Sequence, residues 1–510
     1  MHFMLPYKER LVGAQLDRYI DDHMYWVLFA PRQVGKTTFL RNWAMELNEG
    51  GKVAACYVSV EMCQSVTQPE RAMPIICSVI KSAAENFNLS IPSSGDADAG
   101  AMLYKMLEDW ARLIAPKPLV VLFDEVDVLE GETLVSFLRQ LRAGFHGRDI
   151  GAFPVSIALV GMRDLKDYIT MAKDGRPVNP GSPFNVKSDS VTISYFTRND
   201  IERLFALRTV ETGQQITEEA LDYVFEQSKG QPWIVNNLFM RSIMRVLNDE
   251  DRDTVTISHI LQAREQIILA RETHLDALVY RLDDPRISRV VESIMSGEPD
   301  IHLVRGEPFR LCQDLGLVTI ENGTPIIANP IYREVLARDI SFGVQMATPI
   351  PEWKWEKENG MLDMDALLKE FQIFWQNHSE IWEEQSDYHE VFPHLLLMGF
   401  LQRVINGNGR IEREYAAGRG RMDLAVEYNG GWDIIEIKLL KRNRTFEAVM
   451  EEGLKQTLRY RDVFSASLDG RGISQPPNCY LVIFDRRAEK PSWEERLCWI
   501  NHEQVTVVGC

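Results

Sequence analysis

A short apolar strand that runs directly into a loop bearing glycine and lysine, and then into a helix, is the feature that most limits how this chain can fold. From Tyr25 the sequence reads YWVLFA, a run of strand formers, and then PRQVGKTTFLRNWAMEL, where the apolar positions change to helical spacing. Residues 30–37, APRQVGKT, fit the phosphate-loop pattern GxxxxGK[ST] with Ala30 in place of the first glycine. That position follows the strand and tolerates a methyl group. Gly35 must let the backbone approach phosphate, Lys36 must reach the terminal phosphates and Thr37 must ligate magnesium, with Thr38 as a further cofactor contact. The expected cofactors are ATP and Mg2+.

A second apolar run, PLVVLFDEVDVL from Pro118, supplies the other half of such a site. Asp124 and Glu125 stand where a buried parallel strand emerges at its carboxyl end. Asp124 is positioned to hold magnesium through water, and Glu125 to polarise the attacking water. A solvated pair of carboxylates is the plainer reading, but the phosphate loop upstream argues against it. Asp127 is a weaker candidate that can instead cap a helix beginning near Glu132. Further apolar strands, KVAACYVSV and FPVSIALVG, alternate with helix-like segments such as AGAMLYKMLEDWARLI. This pattern predicts an α/β core with a parallel sheet flanked by helices.

The chain has 510 residues, enough for several domains with their own cores. The expected divisions are 1–189, a P-loop ATPase core; 190–275, a helical lid in which TEEALDYVFEQSKG is capped by Thr217 and stopped at Gly230; 276–340, a winged-helix-like module with a hairpin turn at Asn322-Gly323; 341–360, a linker carrying MATPIPEWKWEKENG; and 361–510, a further domain. With 56 Lys+Arg against 74 Asp+Glu, the net charge of -18 excludes a histone-like grip on nucleic acid through bulk charge, so any such contact is local. The seven cysteines are scattered and never spaced as CxxC, which predicts reduced buried thiols rather than disulfides or zinc. No apolar run is long enough for a membrane span and no secretory leader is evident, so a cytoplasmic, soluble protein with no membrane partner is expected.

The last domain carries a second chemical pattern. RIEREYAAGRGRMDLAVEYNGGWDIIEIKLLK reads as two strands joined by a turn at Asn429-Gly430-Gly431. Asp423 lies early in the first, and Glu436 and Lys438 share one face of the second because side chains alternate with period two. The second strand is otherwise almost wholly apolar, and charges there are costly without a partner or a metal. Asp423 and Glu436 suit Mg2+ or Mn2+, while Lys438 can orient water and stabilise charge building on a phosphate. An ordinary exposed hairpin face is the bland alternative. Arg410, Arg413, Arg419, Arg421, Lys441, Arg442 and Arg444 make a local basic concentration suited to a phosphate backbone.

Two resemblances follow from these motifs. DEVD after an apolar strand, with a helical lid and a winged helix beyond, resembles AAA+ ATPases of the origin-recognition branch, and more closely bacterial AAA-like ATPases with GSPFN, ETGQ and GQPW, here residues 181–185, 211–214 and 230–233. It implies that the GQPW helix start packs near the nucleotide, that Arg163 or Asp164 occupies the γ-phosphate sensor position, and that ATP promotes homo-oligomers, with Arg142 or Arg148 as trans-acting fingers. The C-terminal pattern resembles the PD-(D/E)XK nuclease superfamily. Asp423, Glu436 and Lys438 match D…ExK, Glu390 matches the first-helix acid, and Gln456 with Tyr460 matches the QxxxY of the RecB-like branch; the usual proline before the first Asp is absent. The expected function is an ATP-dependent or ATP-regulated nuclease acting on nucleic acid, DNA favoured, in defence against phage or mobile DNA. The alternative is a nucleotide-switched signalling or scaffolding ATPase whose C-terminal domain is a binding module.

Overall fold

Strand β1 (Tyr25–Phe29) divides its side chains between two cores: Tyr25 and Val27 join one apolar cluster, Trp26 and Leu28 another. Both faces are apolar because helices cover both. The computed structural model describes residues 5–11, 16–90, 97–162, 187–248, 253–270, 273–295, 306–347, 355–385, 396–401, 409–417, 420–440, 444–469, 476–487 and 491–510. Strands β2 (Ala54–Ser59), β3 (Leu119–Asp124), β4 (Ser156–Gly161) and β5 (Lys187–Val191) complete a five-stranded sheet in the order β2-β3-β4-β1-β5, every neighbour parallel. This is the expected P-loop α/β core. The loops after β1 and β3 leave from the same, carboxyl edge of the sheet, where parallel α/β folds bind their ligands.

The boundary expected between residues 189 and 190 falls inside β5, whose pairing with β1 carries the core to Val191. Beyond it lie helices Arg198–Thr212, Glu218–Ser228, Pro232–Arg241 and Ile257–Ala270. Thr217 caps the second of these through the Ala220 N–H, as its sequence predicts. Termination comes one residue before Gly230: Lys229 takes the left-handed conformation, and Gly230, at φ +78, follows. Gly230 has a separate reason to be glycine, since a β-carbon there would stand 1.9 Å from the Phe196 carbonyl oxygen.

Helices Thr273–Val279, Pro285–Met295, Glu307–Asp314 and Pro330–Ala347 follow, with strands β6 (Val318–Glu321) and β7 (Thr324–Ile327) joined by Asn322 and Gly323, both at positive φ. The chain divides into two units: Met1–Glu272 with Arg305–Thr324 and Ala328–Ile331, and Thr273–Val304 with Pro325–Ile327 and Tyr332–Cys510. The expected module 276–340 is thus shared between units, and the expected linker begins as continuous helix, because Pro330–Ala347 runs through its first residues.

The second unit holds a six-stranded mixed sheet built from β8 (Gly409–Ala417), β9 (Gly420–Tyr428), β10 (Gly431–Leu440), β11 (Asn478–Asp485), β12 (Trp499–His502) and β13 (Val505–Gly509), in the order β12-β13-β11-β10-β9-β8. Three strands, not two, occupy the stretch 409–440. The charged alternation of GRIEREYAA conceals β8, which pairs antiparallel with β9. Alternation again separates two cores: Leu424, Ile435 and Ile437 lie with Phe371 and Trp375, whereas Ala425, Ile434 and Leu440 lie with Val449, Leu454 and Phe464 of helix Phe446–Asp469.

Asp433 on β10 is buried and accepts a hydrogen bond from Asn478 Nδ2 at 2.8 Å, yet burial dominates and pushes its carboxyl up to about 6. A carboxyl raised on folding binds more protons folded than unfolded, so stability is highest below its unfolded value and falls as pH rises towards 6. Asp433→Asn therefore removes a penalty of about 2–3 kcal/mol above that pH. Thermal melts from pH 4 to 8 check this: the variant's advantage grows to about pH 6 and then levels off, and a constant difference contradicts it.

Candidate functional site

The loop between β1 and helix Lys36–Glu49 is shaped for an anion. Gln33 at φ +57 and Gly35 at φ +96 turn its backbone, and no side chain caps the first N–H groups of the helix. Those donors, together with the helix dipole, favour phosphate. Ala30 is buried in the core and its N–H bonds the Gly161 carbonyl, so the methyl in place of the usual glycine packs without disturbing the loop.

Lys36 Nζ donates to the carbonyls of Ala30 (2.7 Å) and Pro31 (2.8 Å). An ammonium has three donors, so this clamp aims the side chain and leaves one donor for a ligand. Burial lowers its pKa, an effect opposed by Asp124, Asp127 and Glu125. Asp124 is fully buried at the end of β3, where its Oδ2 accepts from Thr37 Oγ1 (2.7 Å) and Tyr57 OH (3.1 Å) and its Oδ1 from the Glu125 N–H (2.9 Å). Thr37 and Asp124, the two residues suited to hold Mg2+ with a nucleotide, are therefore already in contact. Tyr57 carries no signal in the sequence. Only the parallel register of β2 and β3, which sets Tyr57 beside Leu122 and Ser59 beside Asp124, brings it there.

Glu125 sits at φ +59, where the strand turns sharply, and its carboxyl is raised by burial and by Asp124 and Asp127. A carboxylate whose proton affinity is raised is a better base for accepting a proton from water. Asp127 caps no helix: helix Gly131–Gly144 begins after Glu130, and Asp127 lies in the turn Val126–Val128 with a buried Oδ1 that accepts no hydrogen bond. A β-carbon on Gly161, at the end of β4, would stand 3.1 Å from that oxygen.

A cavity of about 660 Å3 opens beside the loop, walled by Gly35 and Thr38 on one side and by Pro232 and Trp233 of the GQPW segment on the other. The lid helix start and the phosphate loop thus share one cavity. Arg10 and Phe196 also border it, and neither stands out in the sequence. ETGQ serves the lid instead, because buried Gln214 accepts from Arg208 Nε (2.6 Å) and donates to the Asp253 carbonyl (3.1 Å), tying its helices together. Arg148 is engaged within its own chain by the carbonyls of His23 and Phe145 and lies over the Phe145 ring. Arg163, Asp164 and GSPFN lie outside the described residues.

In the second sheet, β9 pairs with β8 from Tyr428 to Gly420 but with β10 only as far as Leu424 opposite Ile435. At Asp423 the ladder to β10 stops. The Asp423 Oδ2 takes the place of a backbone acceptor and receives the Ile437 N–H at 2.7 Å. Glu436, 2% exposed, receives Lys438 Nζ on Oε1 at 2.7 Å, while its buried Oε2 finds no hydrogen-bond donor among the described residues. Burial first, and Asp423 second, push the Glu436 carboxyl up to about 8. For Lys438, burial alone would lower the pKa, but Glu436 and Asp423 outweigh it and keep the ammonium charged.

An unsatisfied buried carboxylate oxygen beside a second carboxylate fits a hard divalent cation, which needs such oxygens and keeps waters in its other positions. Among the described residues, no group of three or more His, Cys, Asp and Glu gathers to hold a metal. Two carboxylates with bound water and substrate phosphate are the arrangement Mg2+ accepts. Glu390, the expected third acid, lies outside the described residues, as do Arg419, Lys441 and Arg442. Gln456 and Tyr460 stand one turn apart on helix Phe446–Asp469, which packs on the face of β10 carrying Glu436 and Lys438. Tyr460 is buried in that core, and Gln456 Oε1 is buried without a hydrogen bond. Arg444 pairs with Glu452 at 2.5 Å, so it is not held ready for phosphate as its place in the basic stretch suggests.

No protein-family model and no curated relative matches the chain. Among solved structures it resembles a Walker-type ATPase of Pyrococcus abyssi at 17% identity, covering 63% of this chain and 93% of that one with a TM-score of 0.45. It also resembles the ORC2 protein of Aeropyrum pernix (13% identity, 65% and 92% covered, TM-score 0.42) and the RuvB Holliday junction branch migration motor of Thermotoga maritima (14%, 61% and 88%, 0.34). Likenesses at this level describe the course of the chain and not its chemistry. No described helix is long and apolar enough to cross a membrane.

Proposed function

We propose that this chain is an ATP-dependent or ATP-regulated, metal-dependent nuclease, with DNA the favoured substrate and phage or mobile DNA its biological target. Residues 1–275 are read as an AAA+ switch or motor with a helical lid, followed by a winged-helix-like module and assembling as a homo-oligomer with ATP, and the end of the chain as a PD-(D/E)XK-type catalyst. The ATP reading rests on the clamped Lys36, the Thr37–Asp124 contact and Glu125 at one end of the sheet. One observation carries the nuclease reading: the buried Glu436 Oε2 without a hydrogen bond, beside Asp423 and Lys438 at the point where β9 leaves β10.

A bound Mg2+ or Mn2+ would supply charge neutralisation and an acidified water. Asp423 and Glu436 would hold the cation, and Lys438 would face the phosphate with a positive charge that stabilises the extra negative charge of the transition state. Buried Tyr460 and half-buried Gln456 lie on the helix that covers that face of the sheet.

Mn2+ titration of the nucleotide-free protein by calorimetry tests the metal site apart from the ATP site. Wild type and Lys36→Ala are expected to bind Mn2+ alike, whereas Asp423→Ala weakens binding at least about tenfold, the scale of one lost carboxylate ligand. Unchanged Mn2+ binding by Asp423→Ala rules this centre out and favours the binding-module alternative.

A further inference from the structure

Arg10 ends a single helical turn, Tyr7–Arg10, and is held more firmly than its place near the start of the chain suggests. Its carbonyl accepts from both the N–H and the hydroxyl of Ser194, at 2.9 and 3.0 Å, and Leu11 bridges Ile193 next to it. Its Nη2 returns a bond to the Ser194 carbonyl at 2.8 Å, and the guanidinium lies 4.6 Å over the Phe196 ring. Phe196 is in turn fixed by its N–H to the Gly230 carbonyl, at the start of GQPW. The result is a pre-oriented cation on the wall of the nucleotide cavity.

What this cation faces decides its use. A β-carbon on Gly35 would stand 3.1 Å from Arg10 Nη1, so the guanidinium lies against the phosphate loop itself. Its buried Nε donates to nothing, and among the described residues no carboxylate forms an ion pair with it. Asp200, whose field reaches it, is bonded to Thr197 as part of a helix cap. A clamp for Ser194 alone would need neither an unsatisfied buried donor nor a charge without a counter-ion, both of which cost stability. An anion in the cavity supplies the missing counter-charge through the Nη1 edge that faces the loop.

The helix geometry selects which part of the anion. Gly35, Thr38 and Asn42 recur at three- and four-residue spacing and line the cavity, whereas Thr37 is turned towards Asp124. Arg10 is therefore on the opposite flank of the loop from Glu125 and the bond to be broken. We propose that Arg10 contacts the phosphate nearest the ribose of a bound adenine nucleotide, and so strengthens binding without taking part in hydrolysis. This rests on the nucleotide reading of the same site.

Affinities of AMP, ADP and ATP for wild type, Arg10→Ala and Arg10→Lys, with steady-state ATPase kinetics, test the assignment. Arg10→Ala is expected to weaken all three nucleotides by a common factor of about 10–100, the range of one charged hydrogen bond. KM then rises by that factor while kcat stays within about twofold, the signature of lost ground-state binding. Arg10→Lys, which keeps the charge and the backbone bonds to Ser194 but not the planar guanidinium over Phe196, recovers part of the affinity; a purely structural arginine gives no such recovery. Equal nucleotide affinities in wild type and Arg10→Ala overturn the proposal, as does a loss confined to ATP with a fall in kcat, which would put Arg10 at the γ-phosphate. Wild-type protein that binds no nucleotide overturns the underlying reading instead, so the two failures are distinct.

Discussion

Glu125→Gln is expected to bind ATP as wild type does and to hydrolyse it about 10²- to 10⁴-fold more slowly, the range of a lost general base. Glu125 is half-buried at a strand end with its carboxyl raised, whereas the amide keeps the shape but cannot accept the proton. Lys36→Ala behaves differently. Removing the clamped ammonium deletes the cation facing the phosphates in a site that already contains Asp124, Asp127 and Glu125, so nucleotide is met by uncompensated negative charge. Truncating one partner of a buried charge pair costs about 2–5 kcal/mol, so affinity should fall by at least about thirtyfold. Calorimetric titration with a non-hydrolysable analogue separates the two variants; equal loss of affinity in both would remove Glu125 from the water-activating role.

The second large effect belongs to Lys438. Lys438→Ala is expected to slow cleavage about 10²- to 10³-fold while leaving Mn2+ bound, because the ammonium acts on transition-state charge and not on the metal. It pairs with Glu436 Oε1 at 2.7 Å, so its loss leaves a second unsatisfied oxygen on that buried carboxylate. The metal therefore becomes more necessary to the local structure, and a larger Mn2+-induced rise in melting temperature than wild type accompanies the lost activity. ATP hydrolysis stays at the wild-type rate in this variant. Loss of Mn2+ binding together with cleavage would make Lys438 a structural support instead.

Residues close together in the chain made most of both sites legible. The strand, loop and helix of residues 25–49 are contiguous, and Glu436 and Lys438 share a strand, so alternation alone places them on one face. Asp423 was within reach because a tight turn, with Asn429 and Gly430 at positive φ, folds β9 back on β10. Contacts made by tertiary packing were not legible. Arg10 meets Ser194 across 184 residues, and Tyr57 reaches Asp124 only through the β2–β3 register. Asp127 illustrates a different limit: an acid a few residues before a helix reads as a cap, but Asp127 lies in the separate turn Val126–Val128 and the helix starts only at Gly131. β8 escaped notice because Arg410, Glu412, Arg413 and Glu414 crowd an edge strand with charge and blur its alternation, and the boundary near 341 because helix Pro330–Ala347 continues into a segment whose later prolines suggest a linker.

Cleavage of linear and of closed circular DNA with Mn2+, with and without ATP, by wild type and by Asp423→Ala purified in parallel, bears most directly on the central claim. The account predicts that wild type cuts the linear DNA in a metal-dependent way and that ATP changes the rate, with opening of the circle marking an endonuclease. It predicts that Asp423→Ala loses at least about 10²-fold of that activity with the loss of a metal ligand, while it still hydrolyses ATP and still retains DNA at low salt. Cleavage by Asp423→Ala at the wild-type rate would contradict it.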